Sequence, residues 1–133
     1  VRATGTWKAA CALSAVLWGI SLPAPALAKD FVRRVRFGRG RSTAVLTGAV
    51  ARGDRDRYVL GAKAGQTMRA SITAREKNAV FTIYQPGGNP LPGTEEGTDR
   101  TRWSGRLPKS GDYTISVGGT RGNAGYTLRV TVR

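Results

Sequence analysis

The chain of 133 residues carries 22 lysines and arginines against 8 acidic residues, with no histidine and a single cysteine, Cys11. A formal net charge of +14 attracts anions of every kind, from glycans and phosphates to acidic protein clefts, and by itself names no partner. The missing histidine and the lone cysteine exclude more: the commonest general base, thiol catalysis and most zinc or copper ligand sets fall away.

In chain order, Arg2 and Lys8 precede an apolar stretch from Ala9 to Leu22, then Pro23, Pro25 and the small-residue step Ala26-Leu27-Ala28. That succession predicts a secretory signal peptide over residues 1–28, cleaved after Ala28. The apolar stretch falls short of the roughly 20 residues that span a bilayer, so no transmembrane segment is expected in the mature chain. Residues 29–133 then form one small domain with a single core. Cys11 leaves with the signal, and stability must come from packing without a disulfide. The mature chain keeps 20 basic and 8 acidic residues, a net +12, and the expected location is the periplasm or the exterior of a Gram-negative-type cell.

From Phe31 onward, period-two alternation recurs, the pattern of strands buried on one face. Phe31, Val35 and Phe37 lead. Ala44, Leu46 and Val50 follow, then Tyr58 and Leu60, then Met68, Ala70 and Ile72, then Phe81 and Ile83. After a polar, strandless connector between Asn89 and Arg102 come Tyr113, Ile115 and Val117. The last run is the most regular: Tyr126, Leu128, Val130 and Val132 point one way, Thr127, Arg129, Thr131 and Arg133 the other. Lys63-Ala64-Gly65-Gln66, Pro86-Gly87-Gly88-Asn89-Pro90 and Pro108-Lys109-Ser110-Gly111 punctuate the runs as turns require. The fold class expected is all-β, a single antiparallel β-sandwich of about seven to eight short strands.

No catalytic constellation is present, so no enzyme activity is expected: there is no S-x-x-K or G-x-S-x-G motif. Asp54 and Asp56 alternate with Arg55 and Arg57, which predicts ionised, paired carboxylates in a structural turn instead of a glycosidase acid. The same arginines oppose a calcium ion, and no metal or other cofactor is expected. Trp103, before Leu107, reads as core or partly buried edge, and Tyr84 as the more exposed aromatic. Arg121 stands apart. It sits in Gly119-Thr120-Arg121-Gly122-Asn123, expected to be the tip of a hairpin, where its planar guanidinium could meet a carboxylate. The +12 surface also admits an anionic glycan or lipopolysaccharide as partner. Export and the interleaving of arginines with apolar residues argue against nucleic acid.

The frame Phe37-x-x-Gly40, Gly48, Asp54-x-Asp56-x-Tyr58, Ala62-Lys63-x-Gly65-Gln66, Pro86-Gly87, Leu107-Pro108-x-Ser110-Gly111-x-Tyr113, Thr120-Arg121-x-x-Ala124 and Tyr126 resembles the periplasmic inhibitors of g-type lysozyme. The Gly-Gln and Ser-Gly-x-Tyr steps are shared with secreted prepeptidase-type sandwich modules. The resemblance implies a β-sandwich that inserts loops into the acidic cleft of a g-type lysozyme and occludes it. Arg121 would be the principal contact, with Thr120 and Asn123 beside it. A family tyrosine in the loop before Asp54 corresponds here to Gly53, so that anchor is missing, and Arg52 or Arg55 would supply the substitute contact.

Overall fold

The computed structural model describes residues 30–133. The expected signal peptide, residues 1–28, lies outside the described residues. Eight strands follow one another: β1 (Asp30–Arg34), β2 (Thr43–Val50), β3 (Arg55–Ala62), β4 (Thr67–Ala74), β5 (Ala79–Tyr84), β6 (Arg102–Arg106), β7 (Gly111–Gly119) and β8 (Ala124–Val132). Among the described residues no helix is long and apolar enough to cross a membrane.

The strands form two four-stranded sheets in the orders β1-β3-β7-β5 and β2-β8-β4-β6. Odd strands make one sheet and even strands the other, so every connection passes between sheets and no two consecutive strands pair. All ladders are antiparallel except β1 with β3, where Asp30 to Arg34 run alongside Arg55 to Val59 in the same direction. The Gly119–Asn123 segment, expected as a hairpin tip, is therefore an arch joining β7 in one sheet to β8 in the other. A glycine-rich connection between two alternating runs looks alike in either case, because local sequence specifies the turn and not the strand beyond it.

Alternation places the core. Leu60, Ile83, Tyr113, Ile115 and Val117 of the first sheet face Met68, Leu128 and Val130 of the second, all fully buried. Each side chain of this size contributes about 1.5–3 kcal/mol when taken out of water. Phe31 departs from expectation. It remains 49% exposed, with its ring edge-on to Tyr58 at 6.4 Å, because β1 is an edge strand and an open cleft separates it from β2 across the sandwich.

The connector after β5 is strandless, as expected, but it is not merely solvent-facing. It doubles back along β5, with Leu91 N–H donating to Ile83 O (2.7 Å) and Phe81 N–H to Arg100 O (3.0 Å). Leu91 and Thr94 are buried within it, and the edge of β5 is thereby covered. Trp103 is half-buried against the core, its indole N–H donating to Pro92 O at 3.3 Å.

Candidate site at the crossover end of the sandwich

Because strands alternate between sheets, loops gather at two ends. One end collects the β2–β3 turn (51–54), the β4–β5 turn (75–78) and the β7–β8 arch (120–123). The first of these closes with Asp54 N–H on Ala51 O at 3.0 Å. Gly53 takes φ of 83°, the left-handed value that the third position of a type II turn needs, and a Cβ there would meet open space. Glycine serves the backbone here, and the turn presents main chain and Arg52 instead of an aromatic ring.

The turn and the arch are physically joined. Arg52 N–H donates to the Asn123 side-chain oxygen at 2.8 Å, which brings Arg52, Gly53, Thr120, Arg121 and Asn123 onto one edge. A third loop holds the arch in shape. Asn78, only 2% exposed, uses its side-chain NH2 to donate to Arg121 O (3.0 Å) and Asn123 O (2.9 Å), while its own carbonyl accepts from Thr120 N–H (2.9 Å). Glycine is obligatory at 119, where a Cβ would lie 2.8 Å from the Gly122 carbonyl. The Arg121 guanidinium is exposed and donates to Glu76 O at 3.2 Å, a contact that aims it without neutralising it. Arg75 and Lys77 of the same third loop are exposed as well, on either side of the exposed Glu76, so in the three loops the basic Arg52, Arg75, Lys77 and Arg121 outnumber the acidic Asp54 and Glu76.

Sequence reasoning overlooked Asn78, Arg75 and Lys77, since nothing local tied 75–78 to the arch. The one available signal was an asparagine beside a tight turn, in which Lys77 adopts φ of 55°. Arg55 behaves differently from the other expected site residues. Its guanidinium lies over Gly118, where a Cβ would come within 2.9 Å of it, and reaches Glu96 at 3.8 Å. It is thus engaged with the connector, beside rather than on the edge formed by Arg52 and Arg121. Glu96 also accepts the Tyr84 hydroxyl at 3.1 Å; partial burial and then Glu96 raise the Tyr84 pKa above the ordinary 10.0.

Beneath the two joined loops lies a buried polar network. Tyr126 OH donates to Asp56 Oδ2 at 2.6 Å, which leaves Tyr58 OH to donate to Tyr126 at 2.5 Å. Asp56 is 8% exposed, so it is a structural acceptor in the interior and not the surface ion-pair partner its neighbours suggested. Gly48 makes room: a Cβ there would stand 2.6 Å from the Tyr126 oxygen. Burial, with Asp56 alongside, holds the Tyr126 hydroxyl far above the ordinary tyrosine range. The network ties the beginning of β3 to the beginning of β8, the two strands that the turn and the arch feed. Gly48, Asp56, Tyr58 and Tyr126 of the sequence frame thus meet at one point, as scaffold for the edge above them.

No family model matches the chain. An inhibitor of g-type lysozyme from Escherichia coli K12 is 32% identical over 96 residues, covering 72% of this chain; the match spans 62% of that relative's length. Among solved structures, the periplasmic g-type lysozyme inhibitor PliG of Aeromonas hydrophila superposes with a TM-score of 0.68 at 33% identity, over 80% of this chain and all of that one. A pre-peptidase C-terminal domain of Bacillus anthracis collagenase shares the fold alone, at a TM-score of 0.55 and 14% identity over 83% of this chain and all of that one.

Proposed function

The chain belongs to the family of periplasmic inhibitors of g-type lysozyme, and on that premise we propose that it binds a g-type lysozyme in the periplasm and blocks its substrate cleft with the crossover end of the sandwich. It does so as a binding protein and not as an enzyme. Arg121 is the leading contact, placed to pair with a cleft carboxylate, and Arg52 flanks it on the joined β2–β3 turn. Thr120, Gly53 and Asn123 contribute backbone and amide groups around them, while Arg55 acts from the side.

One observation carries the assignment of this end: the turn with Arg52 and the arch with Arg121 are coupled by the Arg52–Asn123 hydrogen bond and clamped from below by Asn78. A preordered edge loses less conformational entropy on docking than two independent loops would. A predominantly basic end approaching an acidic cleft also gains association rate from electrostatic steering, which weakens with salt. Glycine at 53 removes an aromatic anchor, so affinity must rest more heavily on charge.

The test is the lysis rate of a peptidoglycan suspension by a g-type lysozyme, titrated with the purified protein at low and physiological salt. Saturable, competitive inhibition that weakens as salt rises is expected. Absence of inhibition at any concentration up to solubility would remove the proposal.

A further inference from the structure

In its half remote from the crossover end, the outer face of the β2-β8-β4-β6 sheet holds an array that the proposed lysozyme contact does not use. On β6, β4 and β8 the outward residues fall into three registered rows. Arg102, Ser71 and Arg129 form the first and Ser104, Arg69 and Thr131 the second. Arg106, Thr67 and Arg133 form the third, closed by Thr67 N–H on Arg133 O at 2.8 Å and the reciprocal bond at 3.0 Å. Arg69 is thus the centre of a square with an arginine at each corner and a hydroxyl residue on each side. From a strand spacing of about 4.8 Å and a rise of about 3.4 Å per residue, each corner position lies roughly 8 Å from the centre.

All five arginines are exposed, and the ion pairs Arg34–Asp112 and Arg55–Glu96 involve none of them. The four strands of this sheet contain no aspartate or glutamate at all. Five guanidinium groups on one face, with no acidic side chain among them, repel one another and leave a strong local field for an external anion to occupy. Two shallow grooves of about 410 and 580 Å³ meet at Arg69 and Thr131 and run across the array.

We propose that this face is a second binding site, for an anionic polysaccharide of the cell envelope. Its carboxylate or sulfate groups pair with the arginine square, and its ring hydroxyls meet the intervening serines and threonines. The alternation of cation and hydroxyl in both directions matches a polymer whose charges are separated by hydroxyl-bearing rings. A lipid surface fits less well, because membrane docking inserts apolar side chains and the array has none; Val45, on the neighbouring β2, is the exposed aliphatic of the sheet. Single-stranded nucleic acid would need aromatic stacking platforms. Trp103, in register with buried Ala70, alternates to the inner side.

The site is independent of the proposed lysozyme contact: Arg129 is six residues along β8 from Asn123, about 20 Å of strand. The experiment uses heparin as the probe polysaccharide, with neutral dextran, single-stranded DNA and phosphatidylglycerol vesicles as comparators, at about 0.15 M salt. Arg69, Arg102 and Arg129 are replaced together by serine; a charge-matched control replaces the exposed Arg33, Arg36 and Arg39. The face variant is expected to lose heparin affinity tenfold or more and to show a flatter salt dependence. The control should change by no more than threefold, and both should keep lysozyme inhibition. Equal weakening of the two variants, no heparin binding by the parent, or equal or tighter face-dependent binding of DNA or vesicles would overturn the proposal. Loss of lysozyme inhibition in the face variant alone would overturn it too, by making this face part of the lysozyme contact.

Discussion

Asn78→Ala separates the shape of the proposed binding edge from its charge. The side chain donates to Arg121 O and Asn123 O at 3.0 and 2.9 Å, and the residue is 2% exposed. Both bonds are only part-buried, so water can partly replace the lost donor, and each is worth about 1 kcal/mol. The variant should therefore lose about 2 kcal/mol. For a domain of about 100 residues that lowers the melting temperature by roughly 10 °C. Because the arch is no longer held against 75–78, inhibition of lysozyme should weaken several-fold at temperatures where the variant is still folded. Asn78→Asp should do worse, since it points a carboxylate at two carbonyl oxygens. The assays are calorimetric melting and the lysis inhibition constant, measured on the same preparations. A melting temperature within 2 °C of the parent, or undiminished inhibition alongside a large loss of stability, would refute the clamp as the element that orders the arch.

Tyr126→Phe removes the donor that Asp56 accepts in the interior and should cost about 2–3 kcal/mol, read from urea unfolding. The parent should also lose stability in alkali. The folded Tyr126 pKa is raised above the ordinary 10.0, so its contribution is complete below pH 10 and declines as pH rises further, when the unfolded chain releases the proton the fold retains. Unfolding midpoints at successive pH values above 10 should fall less steeply for the phenylalanine variant. Gly48→Ala places a Cβ 2.6 Å from the Tyr126 oxygen and should destabilise by about 1–3 kcal/mol, and Tyr126→Phe in the same chain should relieve part of that cost.

Much of the scaffold was legible in the sequence because burial follows period two. Tyr126, Leu128, Val130 and Val132 of β8 alternate as the residues imply, and the same holds for β4 and for Tyr113, Ile115 and Val117 of β7. Pairing was not legible. Whether Gly119–Asn123 returns its chain to the same sheet or delivers it to the other depends on contacts made far along the chain, here with Asn78 and Arg52. Phe31 shows the complementary limit: its phase is right for burial, but an edge strand beside an open cleft leaves it exposed.

The site divides in the same way. Arg121 and its glycines were visible as residue types, and so was the lack of an aromatic at Gly53. That Gly48, Asp56, Tyr58 and Tyr126 belong to one buried network could not be read from their separation along the chain. The arginine square on the second sheet was likewise present only as alternation within single strands. Registering β6, β4 and β8 against one another is what turns those separate arginines into a two-dimensional array.

The central claim, that Arg121 leads the contact with a g-type lysozyme, is tested most directly by the inhibition constant of Arg121→Ala against the same enzyme as the parent. The guanidinium is exposed and holds only one backbone carbonyl, so the variant should fold as the parent does. Inhibition weakened tenfold or more, about 1.4 kcal/mol, is the predicted result. Parental potency in a folded Arg121→Ala protein would contradict the account.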